Sequence, residues 1–154
     1  MIKEAIKLML RESTSFDVFY LDGTIKRFDI LSITEKYPQF VQLLDRKLFE
    51  KAKLLGWSGI SWNDELDIDA QTVYEKGLDV TCEYDSADIT LARLGYKIKQ
   101  KRLEQFMSQE ELANKVGIDQ SDLSKIEKGL LNPSVKIIDR IAHGLNSKID
   151  ISFE

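Results

Sequence analysis

Gln120, Ser121, Ser124 and Lys125 alternate with Leu123 and Ile126 at the spacing of one helical turn. On a helix that pattern turns the two apolar side chains inward and the amide, hydroxyls and ammonium outward. A carboxamide is a paired donor and acceptor that matches the N6 and N7 edge of adenine, and an ammonium reaches the acceptors of guanine or a phosphate oxygen. The Ser121 hydroxyl suits a base edge or a phosphate. This face carries the chemistry of hydrogen-bonded recognition and makes no covalent bonds.

Bond-making chemistry has no comparable set of residues. His143 is the single histidine, with no base or nucleophile beside it in any motif. Cys82 is the single cysteine, which excludes an internal disulfide and any multi-cysteine zinc site. It reads as a small linker or packing residue suited to a reducing compartment. Asp64, Glu65, Asp67 and Asp69 lack the glycine and spacing of a calcium loop, and alternation makes them a solvated strand face. There is no glycine-rich phosphate loop and no nucleophile elbow. The expectation is a protein with no enzymatic activity, no cofactor and no metal.

The elements that hold the polar face follow from periodicity and caps. From Asp88 onward Ile89, Leu91, Ala92, Leu94, Ile98 and Leu103 predict a long helix. Ser108 with Glu111 three residues on is a capping box, opening a second helix with Leu112, Ala113 and Val116 inward. Gly117 ends it in a tight turn that needs positive φ, with Ile118 anchoring the turn. Asp119 or Gln120 opens the third helix, which stops at Gly129. Asn132-Pro133-Ser134 is a turn, and Ser134 caps a last helix lined inwardly by Val135, Ile138, Ile141 and Leu145.

The run MSQEELANKVGIDQSDLSKIEKGLLNPS, with IDRIAHGL after it, strongly resembles the Xre/Cro/repressor helix-turn-helix family. The resemblance spans about 50 residues, and its one departure is the lack of a basic residue after Gly129. It implies sequence-specific binding to double-stranded DNA, with the N-terminal end of Gln120–Glu127 meeting base edges in the major groove. It also implies a phosphate contact for Gln109, aided by the unpaired N–H groups of a helix start, and a phosphate contact for Lys128. Arg102 and Glu127 match the positions of a structural ion pair. Lys97, Lys99 and Lys101 add long-range attraction. Asp122 has two readings: a helix-start residue favoured by the macrodipole, or an acceptor for cytosine N4 opposed by phosphate repulsion.

The N-terminal half has a different character. Residues 1–88 carry 11 Lys+Arg against 17 Asp+Glu, a net of −6, whereas residues 89–154 carry 11 against 9, a net of +2. Such asymmetry predicts two modules with different partners. Ile2–Leu10 alternates imperfectly as a strand. Phe16–Leu21 and Thr24–Ile30 flank Asp22-Gly23, the signal of a two-residue hairpin turn, with Phe16, Val18 and Tyr20 on one face and Ile25 and Phe28 near them. Pro38 precedes Phe40–Leu44; Asp45 caps a helix from about Arg46 to Lys53; Gly59–Trp62 and Glu65–Ile68 are a strand pair; Ala70–Lys76 is a helix stopped at Gly77. Trp57 and Trp62 are expected in this core. The order DGT…FD, LLDRKLFEKAKL, GISWNDELDIDAQTVYEKG resembles a small bacterial α+β domain of unknown function that usually carries Trp-Pro-Asn-Gly where this chain has Trp62-Asn63-Asp64-Glu65. The resemblance implies fusion to a helix-turn-helix and a small partner of toxin type.

The fold class expected is α+β: a small α+β domain over residues 1–78, a linker over 79–88, and an all-α helix-turn-helix domain over 89–154 ending in a strand at Lys148–Phe153. That strand needs an edge to pair with, either its mate in a homodimer or the N-terminal sheet. No apolar run approaches the ~20 residues of a membrane span, and the location expected is cytoplasmic. The function expected is a DNA-binding transcriptional regulator, in its sharper form the antitoxin and autorepressor of a type II toxin–antitoxin pair. The alternative is a protein-interaction module with a weak or degenerate DNA-binding domain, motivated by the acidic half and Asp122.

Overall fold

The computed structural model describes all 154 residues and divides into two compact units, Met1–Ile89 and Thr90–Glu154. The first is built on strands. β1 (Ala5–Leu10), β2 (Ser15–Tyr20) and β3 (Ile25–Asp29) form an antiparallel meander. A 3-10 helix at Pro38–Leu44 and a short α1 (Arg46–Phe49) follow, with the Asp45 side chain accepting from the Lys47 amide. A three-stranded sheet comes next: β4 (Lys53–Leu55), β5 (Gly59–Ser61) and β6 (Asp67–Asp69). The chain then enters α2 (Ala70–Lys76), capped by Asp69, and β7 (Leu78–Asp79) returns to complete the first sheet in the order β1-β2-β3-β7.

The hairpin turn differs from the expected two-residue form. The Gly23 amide donates to Tyr20 O and the Tyr20 amide to Thr24 O, both at 2.9 Å, and Gly23 alone has positive φ, at 91°. This is a three-residue loop whose last residue is left-handed. The extra residue slips the register by one. Phe19 therefore pairs with Ile25, and Phe16 with Phe28. Because side chains alternate, a one-residue slip sends them to the opposite face. Phe28 joins Phe16, Val18 and Tyr20 in the core with Phe40, Phe49 and Trp62, while Ile25 is buried on the other face. Trp62 lies in that core, as expected; Trp57 is exposed and contributes its carbonyl, which accepts from the Ala5 amide. The helix expected to reach Lys53 stops at Phe49, because Lys53–Leu55 pairs with β5.

Both faces of β2 are buried, and the second face holds a carboxylate. Asp17 has 0% exposure and accepts from Arg27 Nε at 2.8 Å, Arg11 Nη1 at 3.2 Å and the Tyr84 hydroxyl at 2.5 Å. Burial alone would raise its pKa; the Arg27 and Tyr84 hydrogen bonds and the two guanidinium charges outweigh that and hold it below the ordinary value. The Tyr84 hydroxyl, on a half-buried side chain and bonded to this anion, is pushed up to about 12. The segment expected as a linker is thus tied down. β7 pairs with β3, the Ile25 amide donates to Thr81 Oγ1, Arg27 also bridges to Glu83, and Tyr84 packs edge-on against Phe19. Cys82 is exposed within this segment rather than packed.

The second unit is helical. α3 (Ser86–Glu104) begins in the first unit and is followed by α4 (Gln109–Val116), α5 (Gln120–Glu127) and α6 (Val135–Gly144). Their core is Ile98, Leu112, Ala113, Val116, Leu123, Ile126, Ile141 and Leu145. Val135, expected inward, is exposed, as is Leu103 of α3. The segment Lys148–Phe153, expected as a strand, carries no ladder within the single chain, since alternation alone supplies no edge to bond. No helix is long and apolar enough to cross a membrane.

Candidate nucleic-acid interface

Three devices fix α4 and the turn that leads from it into α5. The Ser108 hydroxyl accepts from the Glu111 amide at 3.0 Å while Glu111 Oε2 accepts from the Ser108 amide at 2.7 Å, the reciprocal capping box. Gly117 adopts φ 72°, ψ 43°, so the chain turns within Gly117–Asp119 and Gln120 starts the next helix. Arg140 of α6 donates through Nη2 to the Val116 and Gly117 carbonyls, placing a cation on the carbonyl end of α4. Nothing in the local sequence around Arg140 announces that contact, which joins residues more than twenty positions apart.

A buried charge cluster fixes the other end of α5. Arg102 and Glu127 are 6% and 4% exposed. The guanidinium donates through Nε to Glu127 Oε1 at 2.6 Å, through Nη2 to Oε2 at 3.0 Å, and through Nη1 to the Met107 carbonyl at 2.7 Å. Gln109 Nε2 donates to Glu127 Oε2 at 2.8 Å. The expected ion pair is therefore the centre of a three-residue network that reaches the first residue of α4. The amide of Gln109 carries a second N–H, and its backbone N–H belongs to the unpaired donors of the helix start. The Glu127 bond thus turns the Gln109 side chain inward with one N–H engaged.

The remaining residues lie on the opposite side of α5. Gln120, Ser121, Lys125 and Lys128 are exposed, Ser124 and Asp122 are half-buried, and Leu123, Ile126 and Glu127 are buried. At 100° per residue Ser121, Lys125 and Lys128 centre the outward face; Gln120 and Ser124 flank it on one side and Asp122 on the other. Lys97, Lys99 and Lys101 are exposed on α3.

A helix-turn-helix family model matches residues 98–151. An uncharacterized HTH-type transcriptional regulator of Archaeoglobus fulgidus is 42% identical over 57 residues, covering 37% of this chain and 80% of that protein. The chain belongs to the Xre/Cro-type helix-turn-helix family. The ImmF control region 10 kDa protein of Bacillus phage phi105 is 39% identical over 59 residues, covering 38% of this chain and 66% of that protein. Among solved structures, a Nitrosomonas europaea chain provisionally described as DNA-binding aligns with a TM-score of 0.45 at 14% identity, over 92% of this chain and 85% of that one. The family assignment rests on the sequence relatives and describes a helix-turn-helix DNA-binding transcriptional regulator.

Within this helix-turn-helix regulator, sequence reasoning missed the Gln109–Glu127 bond and the Arg140 clamp. It also missed Gln105, whose Nε2 donates to the Leu145 carbonyl at 2.6 Å and joins the ends of α3 and α6.

Proposed function

We propose that the chain is an operator-binding repressor that acts as a homodimer on double-stranded DNA in the cytoplasm. In this reading Gln120, Ser121 and Lys125 address base edges, Ser124 supports them, and Gln109 and Lys128 hold phosphates. The supporting observation is the division of α5: its apolar side and Glu127 are locked into the unit while Gln120, Ser121, Lys125 and Lys128 are left to solvent. A polarisation titration against duplexes selected from a random pool tests it. Gln120→Ala and Lys125→Ala each relax discrimination at one base pair by about 1–3 kcal/mol, whereas Lys128→Ala weakens all duplexes alike and lowers the salt slope by about 1. Binding insensitive to both salt and Lys125→Ala would instead favour an interaction module.

The finer reading is an antitoxin that represses its own promoter and neutralises a small toxin-type partner through the acidic first unit. Its support is the net of −6 on residues 1–88 and an apolar stripe that the core does not use. In the 3-10 helix at Pro38–Leu44, residues three apart align; Phe40 and Leu43 are buried while Pro38, Val41 and Leu44 are exposed. Co-purification with the neighbouring gene product, and rescue of growth when both are expressed, are the expected results. Absence of any interaction would leave the repressor alone.

A further inference from the structure

The end of α3 that Gln105 ties to the end of α6 carries exposed apolar side chains. Phe106 is 96% exposed, yet its backbone holds φ at 56°, the left-handed region that a bulky residue enters at a cost. Leu103, one turn back, is also exposed. The adjoining Gln105 holds the Leu145 carbonyl, so the chain leaving α6 starts from a contact with the residue next to Phe106 in sequence. That chain is Lys148-Ile149-Asp150-Ile151-Ser152-Phe153-Glu154, with Ile151 and Phe153 exposed and no ladder partner.

The segment is self-complementary. Placed antiparallel to a second copy and centred on Ile151, it sets Ile149 opposite Phe153, Ile151 opposite Ile151, Asp150 opposite Ser152 and Lys148 opposite Glu154. Each apolar pair lies on one face, and the charged pair of opposite sign lies on the other, at both ends of the ribbon. A shift of one residue would mix the two faces. A two-stranded ribbon is marginal alone and needs its apolar face covered. Phe106 and Leu103, exposed on either side of the Gln105 tie to Leu145, are the apolar side chains available to cover it.

We propose that Lys148–Glu154 pairs with the same segment of a second copy about Ile151, and that Phe106 and Leu103 of both copies cover the apolar face of the resulting ribbon. This rests on the homodimer reading above and names its surface. It is isologous, as a two-fold dimer requires.

Cysteine cross-linking in the Cys82→Ser chain tests the register. Ile151→Cys places the two thiols opposite one another, within about 5 Å between Cβ atoms, and mild oxidation gives a covalent dimer. Ile149→Cys leaves its thiols four residues out of register and gives none. Sedimentation of Phe106→Gly tests the cover. Glycine relieves the positive φ, so the melting temperature of the dilute, monomeric chain holds or rises, while dimer affinity falls about tenfold or more. Equal cross-linking by the two cysteine variants, or an unchanged dimer constant in Phe106→Gly, overturns the proposal and leaves the homodimer reading standing. A wild-type chain that stays monomeric at all concentrations and on a palindromic duplex removes both.

Discussion

At the scale of single residues, two buried carboxylates carry the strongest consequences. Glu127 is nearly inaccessible and its charge is met by Arg102 on both oxygens. Arg102→Ala leaves that charge with the Gln109 amide alone and is expected to cost about 3–5 kcal/mol, read as a fall in thermal midpoint. DNA affinity falls with it, because Glu127, which holds the Gln109 amide, loses the guanidinium that anchors it. An unchanged midpoint would refute the structural role. The pair was legible as two positions matching a family pattern; the Gln109 bond was not, since it joins side chains eighteen residues apart that carry no shared periodicity. Asp17, between Phe16 and Val18, belongs to no motif that marks it as buried. Its partners Arg11, Arg27 and Tyr84 meet it through tertiary packing. The pH consequence follows from its sign. The folded carboxyl titrates below its unfolded value, so the stabilisation is fully present above about pH 4 and is lost as pH falls through the folded value. Acid titration of Asp17→Asn, followed by circular dichroism, is expected to show a lower midpoint at neutral pH and a shallower acid limb than wild type. Superimposable acid limbs would show that Asp17 contributes nothing to the transition.

At the scale of elements, caps and periodicity located the helices, and register was where sequence fell short. Ser108, Gly117 and Ser134 each carry a local reason to begin or end a helix, and each does so at the expected residue. Ser108→Ala is expected to lower stability by about 0.5–2 kcal/mol in a denaturant titration, the usual range for a lost N-cap. The β2–β3 turn shows the contrary case. Asp22-Gly23 marks the hairpin, but a loop of two or three residues fits the same letters, and only the hydrogen bonds of Tyr20 decide between them. Ile25 changes face as a result. Close approach of elements was equally hidden. A Cβ on Gly95 of α3 would lie 2.3 Å from the Ile126 carbonyl and 2.6 Å from that of Glu127, both backbone atoms of α5 that no side-chain rotation can move. Gly95→Ala therefore forces α3 away from the end of the recognition helix. The expected loss is about 1–3 kcal/mol or more, from overpacking. DNA affinity should drop further than the stability change explains, since α5 is displaced. A variant with wild-type affinity and midpoint would show that α3 yields without moving α5.

For the whole molecule, charge decides how binding must be achieved. The second unit carries a net of only +2 and the first −6, so diffuse attraction to phosphate is weak and localised contacts have to supply the affinity. The division of charge between the halves was legible from composition. The boundary was less so, because residues 78–84 lack glycine and proline yet fold onto the first sheet through hydrogen bonds that leave no pattern in the letters. On the outward face of α5 only Lys125 and Lys128 carry positive charge, and of these Lys128 holds a phosphate in the reading above. Each neutralised phosphate contributes a slope of roughly −0.9 to log K against log salt, so one subunit gives about −1 and a pair of subunits about −2. Half-sites about one helical turn apart suit two recognition helices related by a dyad. A salt titration on a palindromic duplex is therefore expected to give about twice the slope measured on an isolated half-site, and a chain ending at Asn146 should return the half-site slope on both duplexes. Identical slopes for the full-length chain on the two duplexes would mean that one subunit supplies all the phosphate contacts and that pairing adds none.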